Sequence, residues 1–264
     1  MLKFLLLFIA IVQVSSAKVA QGEFKKDFYT SLDYFFKGSY TQFTTKTNLY
    51  YLAPTIGTTW YAFEEDRRHS EKSRQKKIPK HIDLTGHIGI PLNFPIVHTG
   101  AYFLGKKSGD QHMMQFAMEY FSAMYLTLLE TGAISYIHVH DRPVAEDVSF
   151  WEEAFRQESS FPSGHVVPYT VLFFKTFQFY GPYWAIIPGV LSYWASLQRM
   201  RDGKHYLSDI LGAFWLSAFA SEGVRKVAGY NKNHSLYRFI FEHDAKIGLL
   251  RHRGAYGPKI VFSF

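Results

Sequence analysis

Two short segments of the chain combine residue types that bind and transfer phosphate groups. The first is Phe161-Pro-Ser-Gly-His165, and the second runs from Arg199 to Asp209 and contains His205. A guanidinium offers a planar fork of donors that fits phosphate oxygens, and an imidazole can attack phosphorus or donate a proton near neutral pH. Because Asp209 lies four residues after His205, a helix would place both side chains on one face. The spacing therefore predicts a phosphate site with an oriented, nucleophilic histidine.

A third segment, Asp141-Arg142-Pro143, adds a second guanidinium upstream. Ser163 and Gly164 stand where a helix is expected to begin, so a hydroxyl and a backbone N–H would meet an anion at the positive end of the helix dipole. Taken singly, each feature has an ordinary structural explanation. Ser163 would suit a helix N-cap after a proline, and His205 with Asp209 would suit a structural i,i+4 pair. Their joint order and spacing favour the functional interpretation.

The elements that must position these residues are predicted to be helices. Hydrophobic periodicity and turn residues indicate six core helices over 46–63, 92–105, 111–138, 163–180, 183–198 and 206–226. A basic loop is expected over 64–80, a short amphipathic helix near 28–36, and a strand or docked extended tail at 258–264. These patterns predict an all-α bundle of about six core helices.

The amino terminus has the pattern of an export signal. An apolar run from Phe4 to Val14 follows Lys3, and Ser15-Ser-Ala17 supplies the small residues of a cleavage site after position 17. The run is short for a bilayer span, although an uncleaved anchor is the alternative. We expect an exported protein, periplasmic or on the outer face of a membrane.

No linker divides the 264 residues, so the chain is interpreted as one domain with tails. The predicted parts are a signal peptide at 1–17, an N-terminal extension at 18–45, the helical domain at 46–228 and a C-terminal tail at 229–264.

The amino-acid composition restricts the kinds of ligand and partner that the chain is expected to bind. The absence of cysteine excludes disulfides and thiolate metal sites. The net charge of +7 favours anionic partners such as phosphate esters or lipid head groups, whereas the basic run at 67–77 lacks the aromatic residues and fold motif of a nucleic-acid site. Most apolar runs fall short of the roughly 20 residues of a membrane span. These features favour an exported domain, soluble or attached to a membrane surface, over an integral membrane bundle.

The three segments resemble the motifs of the type 2 phosphatidic acid phosphatase (PAP2) superfamily, which includes lipid phosphatases, periplasmic acid phosphatases and vanadium haloperoxidases. The resemblance covers about residues 90–226. Two positions depart from the family pattern: Ser135 stands where the first motif has lysine, and Gln198 stands where the third has serine. The missing lysine removes one phosphate-binding charge, and four residues are candidates to replace it: His138, His140, Arg201 and Lys204.

The resemblance implies a metal-independent phosphatase without a cofactor. His205 would attack phosphorus, Asp209 would orient its ring, and His165 would protonate the leaving group and then activate water. Four residues would hold the phosphate oxygens: Arg142, Arg199, Ser163 and Gly164.

Other interpretations remain open at this point. His205 and Asp209 also have the spacing of metal ligands, so a metal-dependent hydrolase is one alternative. A non-catalytic helical scaffold that kept the motif is another, and a haloperoxidase would use the same fold. The expected substrate is a phosphorylated lipid or an isoprenoid diphosphate, because aromatic residues and positive charge are abundant, with a small soluble phosphate ester as the alternative.

Overall fold

The computed structural model describes residues 19–144, 159–241, 244–252 and 255–263. Within these ranges the chain forms helices α1 (Phe24–Thr41), α2 (Lys46–Arg74), α3 (Lys80–Leu92), α4 (Ile96–Ser108), α5 (Gln111–Ser135), α6 (Val167–Tyr180), α7 (Pro182–Arg201), α8 (Leu207–Ala228) and α9 (Ser235–Phe241). The all-α prediction is confirmed for the core. The predicted signal peptide at 1–17 lies outside the described residues.

The C-terminal tail forms the only sheet of the described chain. Strands β1 (Asp244–His252) and β2 (Ala255–Ser263) pair antiparallel, with Asp244 opposite Ser263. The strand predicted near 258–264 is therefore present, and its partner is the segment just before it. Helix α9 at 235–241 was not predicted.

Helix α8 is the centre of the bundle, because α1, α2, α5 and α6 all pack against it. Its crossing with α1 depends on two glycines. A Cβ added to Gly223 would lie 2.7 Å from the carbonyl oxygen of Gly38, and a Cβ added to Gly38 would lie 2.9 Å from Cγ2 of Val224. The two helix backbones therefore approach more closely than larger residues would permit.

A buried ion pair joins the three innermost helices. Nζ of Lys175 on α6 lies 2.9 Å from Oε2 of Glu119 on α5, and neither side chain is exposed. The same ammonium donates to the carbonyl of Ser221 on α8 at 2.8 Å. Burial lowers the pKa of Lys175, while the charge of Glu119 opposes that shift. Removing either partner would leave an unpaired charge in the core, which costs several kcal/mol, so the pair fixes how these helices meet.

Two predictions about the first half of the chain are wrong. Residues 64–74 are not a loop but the last three turns of α2. Their basic side chains lie on a helix whose other face buries Asp66 and Ser70, and a face of solvated charges is compatible with a helix. The helix predicted over 92–105 is also wrong in extent, since α3 ends at Leu92 and α4 begins at Ile96, with Pro95 between them.

Helix α3 matters because it packs close to the loop that carries His165. A Cβ added to Gly89 would lie 2.4 Å from the carbonyl oxygen of His165. The hydroxyl of Tyr169 donates to the carbonyl of Thr85 at 2.6 Å and ties the start of α6 to the same helix. A segment that the sequence did not reveal as a helix therefore supports one wall of the candidate site.

In the described part of the chain, no helix is long and apolar enough to cross a membrane.

Candidate active site

The candidate site is built around the amino-terminal end of α8. Nδ1 of His205 lies 3.1 Å from Oδ2 of Asp209, and neither side chain is exposed. The same carboxylate oxygen accepts the backbone N–H of Tyr206 at 2.8 Å. Asp209 therefore both caps the helix start and holds the His205 ring. Because Nδ1 faces the carboxylate, Nε2 is the ring nitrogen that could attack a phosphorus atom.

A second carboxylate supports the same helix end. Asp66 on α2 accepts the backbone N–H of Ser208 at 3.0 Å and the Ser208 hydroxyl at 2.5 Å. Asp66 is only 6% exposed. Because charged hydrogen bonds in buried places are the strong ones, Asp66 fixes the first turn of α8 against α2.

Burial raises the pKa of Asp209 from its usual 3.8 to about 6. Three contacts oppose this rise: the charge of His140, the backbone N–H of Tyr206 and the hydroxyl of Ser160. The nearby charge of Asp66 adds to the rise. Near pH 6, the charges and hydrogen bonds around Asp209 therefore decide whether its carboxyl group is protonated.

The loop before α6 brings the second histidine to this centre. The ring centroids of His165 and His205 are 6.3 Å apart. The backbone N–H of Ser163 donates to the carbonyl of Asp209 at 3.1 Å, which fastens the loop to α8. A phosphoryl group held between the two rings would thus meet an attacking nitrogen and a proton donor together.

The helix after this loop begins later than predicted. Helix α6 starts at Val167, and residues 164–166 form a turn before it. No side chain caps the helix, and the hydroxyl of Ser163 is buried without a hydrogen-bond partner in the described structure. The N-cap explanation of Ser163 is therefore wrong. A Cβ added to Gly164 would meet only Cγ2 of Thr131, at 3.9 Å, so packing in this structure does not require the glycine.

Arg199 lies in the last turn of α7 and is 6% exposed. Its carbonyl accepts the N–H groups of Lys204 and His205 at 3.1 and 3.3 Å. This tight connection needs a left-handed residue, which Gly203 provides with φ of +70°. The carbonyl of Gly203 in turn accepts the N–H of Val144 at 3.2 Å, so the segment after Arg142 is attached to the same turn. All seven residues predicted for the site therefore lie on segments that meet at one end of α8.

Residues 116–232 match the family model of the PAP2 superfamily. This match supports membership of the PAP2 superfamily for that stretch. The match includes every predicted site residue, and it begins later than the resemblance seen in the sequence, which started near residue 90. No match is found among curated proteins or among solved structures. Membership indicates a phosphoester hydrolase in general terms.

The PAP2 domain lacks the family lysine, and the structure shows what surrounds that position. Ser135 is buried and donates to the carbonyl of Gly132 within its own helix at 2.7 Å. Among the four candidate replacements, Lys204 lies near Arg142: partial burial and the charge of Arg142 both lower the pKa of Lys204. Arg201 instead donates to the carbonyl of Lys77 at 3.1 Å.

The two histidines of the upstream segment have different surroundings. Nε2 of His138 lies 3.5 Å from the exposed carboxylate of Asp141. Nε2 of His140 lies 3.3 Å from Oδ1 of Asp209. Of these two histidines, His140 is the one that contacts a residue predicted for the site, Asp209.

Sequence reasoning missed three contributors to the site: Asp66, His140 as a partner of Asp209, and Ser160. The sequence predicts a loop around Asp66, although Glu65 with Arg68 and His69 has the i,i+3 and i,i+4 spacing of helical charge pairs. Ser160 lies 2.9 Å from Nδ1 of His140 through its hydroxyl, and no motif marks it. Among the described residues, no group of three His, Cys, Asp or Glu side chains could hold a metal ion.

Proposed function

We propose that the PAP2 domain hydrolyses phosphate monoesters, without a metal, through a phosphohistidine formed on His205. The observation that carries this proposal is the buried hydrogen bond between His205 and Asp209 with the His165 ring 6.3 Å away from that of His205. A nucleophile, a group that orients it and a second acid–base group are the parts that covalent catalysis requires.

The reaction has two steps. Nε2 of His205 attacks phosphorus, an N–P bond forms, the ester P–O bond breaks, and His165 gives its proton to the leaving alkoxide. His165 then takes a proton from water, the water oxygen attacks phosphorus, and the N–P bond breaks to release inorganic phosphate. Asp209 stabilises the positive charge that the His205 ring acquires in between.

Positive charge for the phosphate comes from the residues around this pair. Arg199 and Arg142 hold the non-bridging oxygens, and Lys204 adds a charge beside Arg142 in the place of the family lysine. The buried hydroxyl of Ser163 supplies a further donor. In this proposal, protein side chains, without a metal ion, balance the negative charge of the phosphoryl group during its transfer.

An apolar groove supports a lipid substrate. A cavity of about 360 Å³ between α2 and α8 is lined almost wholly by apolar side chains and includes Phe161, two residues before Ser163. It adjoins a second apolar groove of about 460 Å³ through Ile134, Leu216 and Phe219. An acyl or isoprenyl chain lying there would leave its phosphate end beside the loop that carries His165.

The surface supports association with a membrane. Large apolar side chains are exposed on α2 and α7, among them Trp60 at 70% and Tyr183 at 78%. Clustered exposed apolar residues mark binding to lipid or protein. Together with the export pattern at the amino terminus, they favour a phosphatase on the outer face of a membrane. Amino-terminal sequencing of protein from an exporting host is expected to find Lys18 first, and an intact Met1 would contradict cleavage.

The function is tested by phosphate release from paired substrates of equal head group, one a lipid phosphate in detergent micelles and one a soluble phosphomonoester. We expect the lipid to be the better substrate, activity to survive excess EDTA, and vanadate to inhibit because it mimics the five-coordinate phosphoryl group. His205→Ala is the control for contaminating phosphatase. Activity lost to EDTA and restored by a divalent metal would favour the metal-dependent alternative. Release equal to that of His205→Ala would favour the non-catalytic scaffold.

A further inference from the structure

Among the histidines whose side chains the structure describes, His140 is the one outside the PAP2 motifs that contacts the carboxylate of Asp209. Its Nε2 lies 3.3 Å from Oδ1 of Asp209, on the opposite carboxylate oxygen from the one that holds His205. The His140 side chain is 23% exposed, whereas Asp209 is not exposed. Asp209 therefore lies between two imidazoles, and only one of them belongs to the family pattern.

The contacts of the His140 ring place hydrogen-bond partners beside both of its nitrogens. Nε2 is 3.3 Å from the hydroxyl oxygen of Ser208, whose own proton goes to Asp66. That hydroxyl must accept from His140, so Nε2 carries a proton. Nδ1 lies 3.1 Å from the carbonyl oxygen of Asp141, which can only accept, and 2.9 Å from the Ser160 hydroxyl, which can do either. An acceptor therefore lies beside each ring nitrogen, so a ring with both nitrogens protonated could donate at both.

The charges around His140 come from three directions. Asp209 on α8 lies closest, and Asp66 on α2 acts through Ser208. Asp141 belongs to the same segment as His140, but its exposed carboxylate lies beside His138. Tyr206 packs edge-on against the ring at a centroid distance of 4.9 Å. Two helices that pack here, α2 and α8, thus place negative side chains near the His140 ring. These charges would attract a positive charge on the ring.

We propose that His140 is a positioning residue whose imidazolium holds Asp209 ionised, so that the carboxylate remains available to His205. This inference rests on the proposed function, since it concerns the same reaction. In this chain Ser135 stands where the first motif of the family has a positively charged lysine. A protonated His140, five residues later, would supply a positive charge beside the Asp209 carboxylate instead of beside the phosphate.

The proposal makes a claim about pH that a packing role would not make. Burial already raises the pKa of Asp209 to about 6, and the His140 charge is the largest influence that opposes the rise. An opposite charge within about 4–6 Å shifts a carboxyl pKa by about 1–3 units. Without His140, the pH at which kcat/KM falls on the acid side should rise by about one unit. At pH values below this point, kcat/KM should therefore be about tenfold lower than in the unmodified protein.

The deciding variant is His140→Gln, whose neutral amide can still donate to Ser208 and fill the space. The matched control is His138→Gln, two residues away on the same segment and 60% exposed at the side chain. We expect the acid limb to move upward in His140→Gln and to stay in place in His138→Gln, with melting temperatures of both close to that of the unmodified protein. A uniform loss at every pH in His140→Gln, or an equal shift in both variants, would overturn the proposal.

A second readout separates this proposal from the proposed function. A ¹³C NMR titration of the Asp209 carboxyl carbon, assigned with Asp209→Asn, follows the same protonation without turnover. The titration midpoint should rise in His140→Gln even if no phosphate ester tested is a substrate, in which case the proposed function alone fails. An unchanged midpoint would reject the role of His140 whatever the activity.

Discussion

Oδ2 of Asp209 lies 3.1 Å from Nδ1 of His205, and neither side chain is exposed. Because the carboxylate also accepts the N–H of Tyr206 at 2.8 Å, the start of α8 and the His205 ring are bound to the same carboxylate oxygen. If the ring turned away, it would lose its hydrogen bond to the carboxylate that caps α8. A residue four positions beyond the histidine can therefore support the fold and, in the proposed function, the reaction as well.

Asp209→Asn should lower kcat by about 10² to 10⁴, because the amide keeps the size of the side chain but loses the charge that stabilises the His205 cation. Steady-state kinetics measure the loss, and circular dichroism checks the fold. Asp110→Asn is the matched control, since Asp110 caps α5 by accepting the N–H of Met113 at 3.0 Å. Comparable kinetic losses in both variants would show that a generic helix-capping effect is responsible.

His165→Ala should slow phosphoryl transfer more for an alkyl phosphate than for p-nitrophenyl phosphate. A poor leaving group needs a proton and a good one does not. Burst kinetics isolate the transfer step from the later activation of water. Equal slowing of the burst for both substrates would reject His165 as the general acid.

On acidification, the protonation of Asp209 should lower the activity of the protein but raise its stability. The reaction needs the carboxylate, so kcat/KM should fall as pH drops through about 6. The folded state binds the Asp209 proton more tightly than the unfolded chain does, because its pKa is raised from 3.8. The contribution of Asp209 to the free energy of unfolding therefore rises as pH falls from about 6 towards 4.

Urea unfolding of the unmodified protein and of Asp209→Asn at pH 7 and pH 5 measures this contribution. The difference in unfolding free energy between the two proteins should shift in favour of the unmodified protein at pH 5. A shift in the other direction would mean that the pKa of Asp209 is lowered, not raised, by folding.

Lys204→Gln should lower kcat/KM by about 10- to 100-fold, which is the loss of one charged hydrogen bond to phosphate. Arg201→Gln is the control, because that side chain is three residues away and donates to the Lys77 carbonyl instead. Both variants remove one positive charge, so general attraction of anions affects them alike. If their kinetic losses match, Lys204 does not replace the family lysine.

The sequence predicted which residues would lie together better than it predicted the helices around them. His205 and Asp209 could be paired because helical spacing alone places i and i+4 side chains together. The part that His140 plays could not be found, since its distance to Asp209 depends on a contact between residues 69 positions apart. Helix α3 was missed because Gly86, Gly89 and Pro91 weaken its helical signal, yet the glycines are what allow it to approach Gln198 and His165 closely.

The central claim is that phosphate passes through His205, and a quenched-flow experiment tests it most directly. The protein is mixed with a ³²P-labelled substrate, quenched in alkali and digested, and the labelled peptide is identified. A phosphohistidine has an N–P bond that survives alkali and is lost in acid. The account predicts such a label on His205, accumulating when His165→Ala slows its hydrolysis and absent from His205→Ala. Turnover with no acid-labile label, or a label that persists in His205→Ala, would contradict it.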